Sequence, residues 1–476
     1  MSSSNLCGRV WRSRTRILLF SGVLAAVLVT VSCGGNGNTS MGSLLGSATP
    51  AMVQLRMGDA PADRVISFEV TVGPITLMPS SGTSLTALSG TRRIELSHLS
   101  GTNEALALLN VSAGSYSSAT ITVANPEVTF INNLGAVVKL EPILNQTITI
   151  NFNPVLTVGA GASVVNIDLS LANSLTFDAQ GNVTSVNVSS SSFTVSAAAV
   201  AAEAQQEAED GEFEDTTGMV TGVSANSFTL SQGQSTTPLT FITDSNTAFS
   251  DGASMATILN MIVKVEGVTK SDGTLYAKEV EGVENNNGVE AEGLITKVTN
   301  NPATQLSVVA QDGNGAGIDD TKIGSPLLVD VTGAQYGVDQ GNIDTSGIGG
   351  LPSSPNFPFD ASTIHAGQRV QVESASAMSG MSVSSGQVKL KQQAVTGTVS
   401  GLTGPTSAGP VSFTLTLPAD SAFAMLSGQT TINVFWQLGT DLHNLASVKN
   451  GDTARVRGLV FFSATNVNLI ARRIGQ

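Results

Sequence analysis

The sequence predicts an all-β protein: an N-terminal β-sandwich followed by three small β-barrel modules. Three observations carry that reading. Of 476 residues only 12% are charged and 5% aromatic, and Gly, Ser, Thr, Asn and Val dominate. Such a composition favours short strands and tight turns over long helices. Residues 50–196 repeatedly alternate apolar and polar positions with the period of a half-buried strand. From residue 217 onward one strand pattern recurs three times.

The N-terminus is of a different kind. Residues 1–16 contain Arg9, Arg12, Arg14 and Arg16 and no acid, and an apolar run from Ile17 to Val31 follows, broken by Ser21, Gly22 and Thr30. Its length falls short of the roughly 20 residues that a membrane-spanning helix needs, so 1–32 reads as a secretory signal peptide. The end of the run, Thr30-Val31-Ser32-Cys33-Gly34, resembles the bacterial lipobox, with Thr30 where that motif usually has Leu. The resemblance implies that Cys33 is diacylated and becomes the new N-terminus. Cys7 lies in the segment removed, so Cys33 is the single cysteine of the mature chain and no disulfide can form within it. Residues 34–49, rich in Gly and Ser, read as a flexible tether. Gly34 in place of an Asp implies, by the same resemblance, delivery to the outer membrane where a cell has one. The expected localisation is export, with the lipid holding the chain to the cell envelope.

Charge narrows the partners. Removing 1–32 leaves 18 basic against 36 acidic residues, a net charge of −18. Nucleic acid is not expected as a partner, since phosphates demand a basic footprint. The expected partners are the membrane, through the lipid, and neutral glycans or envelope proteins.

Within 50–196, Val53–Met57 alternates as a strand, and the turn Gly58–Asp63 follows it. Ile66–Leu77 places Phe68, Val70 and Val72 on one face, and Leu108–Val123 contains the turn Gly114-Ser115-Tyr116. Further strands fall at Thr147–Phe152, Val164–Leu171 and Val183–Val188. Many short strands between turn signals indicate a sandwich. The segment resembles the domain of unknown function family 4382 through Met57–Asp63, Phe68–Leu77, Leu109 with Gly114-Ser115-Tyr116, and Asn166-Ile167-Asp168-Leu169. That family implies an architecture and an exported setting, not an activity. Residues 197–216, rich in Ala, Glu and Gln, are expected to form a short acidic helix or a linker.

The three repeats open with Gly218–Val223, Gly293–Val298 and Gly397–Leu402. Second strands follow at Phe228–Leu230, Leu306–Val308 and Phe413–Leu415. Fourth strands run Val263–Val268, Val370–Ala375 and Ala454–Leu459. They place Val265, Val372 and Val456 on one face and Lys264, Gln371 and Arg455 on the other. Closing strands are Leu275–Val280, Val388–Leu390 and Leu469–Ile474. Three residues before each fourth strand stands Asn260, Gly367 or Gly451, types that tolerate a left-handed backbone. Inside each, Gly267, Ser374 or Gly458 suits a strand that must bend to close a barrel. The units, 217–284, 291–393 and 395–476, resemble the domain of unknown function family 5666. That resemblance implies a small closed barrel related to oligomer-binding (OB-like) folds. An insertion at 311–360 in the second unit, rich in Gly, Asp and Pro, is expected to be a loop.

Chemistry is sparse. His98, His365 and His443 fall in different domains without a second ligand nearby, and are expected at surfaces or edges. No nucleotide-binding, metalloprotease or nucleophile-elbow motif occurs, and neither catalytic residues nor cofactors are expected. One weak calcium candidate remains, Asp312, Asn314, Asp319 and Asp320, where oxygen ligands are spaced by glycines. Two function classes follow. A structural, adhesive or display lipoprotein is the first; a glycan- or oligomer-binding module protein is the second. Exposed rings would favour the second, and past residue 32 the chain has only Trp436, Tyr116, Tyr276 and Tyr336 beyond its Phe residues. The acids, concentrated in Glu203–Asp215 and Asp312–Asp320, are expected to be solvated with ordinary pKa values, with no desolvated acid pair in a deep cleft.

Overall fold

The computed structural model describes residues 50–475, apart from 61–62, 100–102, 160, 201–211, 233–237, 284–287, 464–465 and parts of 342–356, 405–409 and 443–446. Residues 1–49, on which the expected signal peptide, Cys33 and tether fall, therefore lie outside the described residues.

The N-terminal domain runs through β1 (Pro50–Ala60), β2 (Val65–Pro79), β3 (Leu85–Leu88), β4 (Arg92–Glu95), β5 (Glu104–Ser112), β6 (Gly114–Ile131), β7 (Val137–Leu140), β8 (Asn145–Val158) and β9 (Gly161–Ser170). The helical turn α1 (Leu171–Ser174) follows, then β10 (Leu175–Phe177), β11 (Val183–Val186) and β12 (Phe193–Ala199). One sheet has the order β12-β9-β1-β5. The other has the order β3-β2-β6-β7, with β4 also on β2 and β8 also on β6. Their facing sides share one core, in which Val53, Leu55, Met57 and Ile167 meet Phe68, Val70, Val72 and Ile121. The period-two pattern thus selects the inner faces of a sandwich. The helix-or-linker expectation for 197–216 needs correction at both ends. Ala197–Ala199 pair with β9, and a new strand begins at Glu212; continuation of the β9 ladder overrides the helix preference of Ala.

The first module comprises β13 (Glu212–Ser224), β14 (Ser227–Ser231), β15 (Leu239–Ile242), β16 (Ala248–Ser250), β17 (Ile262–Thr269) and β18 (Leu275–Val283). Its sheet order is β15-β14-β13-β17-β18-β16, and β15 also pairs with β18, which closes a five-stranded barrel. Phe213, Phe228 and Phe241 fill it, with ring centroids 5.3 and 5.7 Å apart. The second module comprises β19 (Val289–Thr299), β20 (Gln305–Gly315), β21 (Pro326–Asp330), β22 (Gln335–Val338), β23 (Arg369–Ser374), β24 (Ser382–Ser384) and β25 (Gln387–Leu390), in the order β22-β25-β23-β19-β20-β21-β24; no pairing joins its two ends, so the closed barrel expected here is an open sheet among the described residues. The third comprises β26 (Gln393–Ser400), β27 (Val411–Thr416), the short helix α2 (Ala422–Ser427), β28 (Thr431–Trp436), β29 (Asp441–Leu442), β30 (Thr453–Phe462) and β31 (Val467–Gly475). Its order, β28-β27-β26-β30-β31-β29 with β28 also on β31, repeats the first barrel strand for strand.

Val265, Val372 and Val456 are all at most 1% exposed. Asn260, Gly367 and Gly451 have φ of 65°, 94° and 92°, the left-handed turn that feeds each fourth strand. A Cβ on Gly267 would stand 2.0 Å from the Tyr276 carbonyl oxygen, and one on Gly458 would stand 1.9 Å from that of Ile470. Both glycines sit at register shifts, so bulge and close approach coincide.

The expected loop at 311–360 is overturned. Residues 311–315 extend β20, and the segment contains β21 and β22. Leu327 and Val329 point inward while Leu328 and Asp330 point outward, and Ile343, Ile348, Phe357 and Phe359 join the module's core. Gly and Asp content signalled turns and concealed short alternating strands between them.

The described residues belong to one compact unit spanning Ala48–Gln476. The sandwich touches all three modules. Ala162 N–H donates to the Ser271 carbonyl in the first at 3.2 Å. The Gln311 amide of the second donates to the Ile66 carbonyl at 2.6 Å, and Ala422 N–H of the third donates to Asp63 at 2.6 Å.

Candidate functional site

Because the modules dock on one another, strand faces that alternation marks as outward become internal. Lys264 and Gln371, opposite the core valines, are 4% and 1% exposed. They lie in a charged junction between the first and second modules. Lys264 Nζ stands 2.9 Å from Glu292 and 3.2 Å from Asp312, and Arg369 reaches the other Glu292 oxygen at 2.9 Å. Gln371 donates to Glu281 at 3.3 Å, while Lys389 bridges Glu373 at 2.7 Å and Asp251 at 3.5 Å. Burial acts to raise the Glu292 pKa, but Arg369 and Lys264 outweigh it and hold the carboxyl well below the usual range. At Glu290, two residues away on β19, the compensation is too weak to offset burial. Burial pushes it up to about 8, opposed by Lys264 and reinforced by Glu281, Asp312 and Glu292.

A polar cleft of about 470 Å³ opens where the sandwich meets the first two modules. β2 and β4 supply Glu69, Arg92, Arg93 and Glu95; the first module supplies Thr217 and Gln232; the second supplies Gln311, Asp312 and Asp320. Arg93 holds Glu69 at 2.8 Å and Glu127 at 2.7 Å, and Arg92 is paired with Glu104. Burial raises Glu69 to about 7 against the pull of Arg93, with Glu127 and Asp320 adding to the rise. Glu95 accepts from Phe68 N–H at 2.7 Å and lies 2.8 Å from His98 Nδ1. Burial works to raise its pKa, yet the His98 and backbone contacts hold it below the usual value.

Several expected positions change. His98 is buried, not at a surface, because the short turn after β4 folds it onto Glu95 and beneath the third module, whose Arg457 donates to its carbonyl at 3.3 Å. His365 stacks on Phe462 at 4.3 Å in the junction between the second and third modules. His443 lies outside the described residues. The acids are not all solvated: Glu69, Glu290 and Glu292 are buried at domain junctions, a consequence of docking that no local pattern announces. The calcium candidates divide between two settings. Asp312 and Asn314 lie on β20, with Asp312 committed to Lys264. Asp319 and Asp320 lie in the exposed turn beyond, where Asp319 accepts from Thr321 and faces Lys322 at 3.7 Å. No cluster of three or more His, Cys, Asp or Glu fit to hold a metal occurs among the described residues. Trp436, Tyr116 and Tyr276 are each at most 6% exposed, and Tyr336 is half-buried.

Comparison with known proteins follows this division of the chain. Residues 50–186 match the family described as domain of unknown function (DUF4382). Residues 217–281 match the family described as domain of unknown function (DUF5666). No curated protein matches the chain.

Proposed function

We propose that the chain is an exported lipoprotein, held to the cell envelope through Cys33, whose body displays a rigid binding surface and performs no catalysis. In this reading the second and third modules are further copies of the domain matched at 217–281, built on the shared fourth-strand motif. The observation that carries the non-catalytic part is the commitment of these buried acids to structural pairs: Glu69 to Arg93, Glu104 to Arg92, Glu292 to Lys264 and Arg369. A carboxylate that anchors two domains is a poor candidate for proton transfer in turnover. The large exposed apolar side chains among the described residues, such as Leu134, Ile143 and Leu438, include no aromatic ring, which favours display over stacking on sugars.

Two experiments test the reading. Cys33→Ala is expected to leave the protein unprocessed or to release it from the membrane fraction; a variant that fractionates and matures as the parent does would remove the anchor. A panel of envelope polysaccharides incubated with the purified protein is expected to remain intact. Turnover that disappears in both Glu69→Gln and Glu104→Gln would make the polar cleft an active site instead.

A further inference from the structure

We propose that the outer edge of β8 is a contact between two copies of this chain, paired strand to strand across a two-fold axis. β8 hydrogen-bonds only β6 among the named strands, and β12, at the same side of the sandwich, hydrogen-bonds only β9. Two sheet edges therefore lie open side by side. Between them runs a groove of about 710 Å³, walled by Phe152 and Leu156 of β8 and by Phe193 and Val195 of β12. The core residues next to this groove retain slight exposure, 9% for Phe152 and 8% for Phe193, whereas Phe68 and Val70 in the middle of the sandwich retain none. The core thins toward an edge whose backbone no described strand pairs, although the Gln146 side chain at its start donates to the Val188 carbonyl.

The edge also lacks the usual protection. Sheet edges are normally guarded by charged side chains, above all Lys, which disfavour pairing with another strand. Here no ionisable residue occurs from Pro142 to Ile167 or from Ala179 to Ala202, although the whole chain carries a net charge of −14. Two such acidic bodies repel through most of their surfaces, and this neutral edge is where approach costs least. The strand is also self-complementary. From Asn145 to Asn153, before Pro154 interrupts the ladder, Thr147, Thr149 and Asn151 face outward while Ile148, Ile150 and Phe152 face the core. An antiparallel partner centred on Thr149 sets threonine beside threonine and isoleucine near isoleucine, as a closed two-fold contact requires. The inward side chains of the added strand then enter the groove above Phe193 and Val195.

Sedimentation velocity of the full chain in non-ionic detergent tests this. A monomer–dimer equilibrium in the micromolar range is expected. Thr149→Lys, which sets two like charges together at the axis, is expected to weaken association by at least about tenfold with no change in thermal midpoint under dilution to monomer, since Thr149 is exposed. Under oxidation Thr149→Cys is expected to give a cross-linked dimer that Thr86→Cys, on β3 at the far edge of the same sheet, does not give. A parent that stays monomeric at every concentration, or equal cross-linking by the two cysteine variants, would overturn the proposal. So would association unchanged by Thr149→Lys, because the contact would then lie elsewhere.

Discussion

Glu290 and Glu69 carry the strongest consequence at the scale of single residues. Each is an acid on a strand face that turns toward another domain, and each has a pKa raised by burial, to about 8 and about 7. A carboxyl that prefers its proton when folded contributes stability that is complete below its unfolded value and is lost as pH rises through its folded value. The window for these two runs from about pH 4.5 to about pH 8. The melting temperature is therefore expected to fall across that window. Glu290→Gln is expected to flatten the slope and to raise stability at pH 8.5 by roughly 1 to 3 kcal/mol. Thermal melts at pH 5.5, 7 and 8.5 check this; a slope unchanged by the substitution would show that Glu290 is ionised at no cost. Glu292, whose pKa is depressed by Arg369 and Lys264, works in the opposite sense, stabilising above the ordinary carboxyl range and losing that contribution in acid.

At the scale of the strand, the fourth-strand motif joins sequence to barrel most directly. Gly458→Val is expected to destabilise the third module by several kcal/mol, because its Cβ would meet the Ile470 carbonyl at 1.9 Å and backbone cannot yield as a side chain can. Val456→Ala, two residues earlier, removes packing alone and is expected to cost roughly 1 to 3 kcal/mol in a denaturant titration. If Gly458→Val proved the milder change, the bulge would be adaptable and the glycine dispensable. These positions were legible because they recur: Val265, Val372 and Val456 share one register, and Asn260, Gly367 and Gly451 share one turn. The strands of 311–360 were less legible, since β21 and β22 are only five and four residues long and lie among Gly and Asp. The junction acids and the cleft were not legible at all. Alternation reports which side chains leave a domain's own core, and Lys264 leaves its core for the second module rather than for water. That distinction depends on contacts between residues far apart in sequence, which no local period encodes.

At the scale of the whole molecule, direct contacts between the sandwich and every module predict a single unfolding transition. Trp436 is the only tryptophan after residue 32 and sits in the third module, packed on Phe413 at 6.2 Å. Its fluorescence is expected to change at the same denaturant concentration as the far-ultraviolet signal of all the strands together. Separate midpoints would mean independent beads, with junction pairs such as Lys264–Glu292 contributing little. The position of β1 has a mechanical consequence. It is the first described strand, yet it lies inside its sheet, parallel to β9 on one side and antiparallel to β5 on the other. A load applied through the residues before Pro50 runs along β1, across hydrogen bonds that lie transverse to the pull, perpendicular to β5 and slanted to β9. Those bonds must shear together along the strand instead of unzipping one at a time. A body tugged by its leading end would resist at the sandwich, as a bolt set in the middle of a plate holds better than one at its rim.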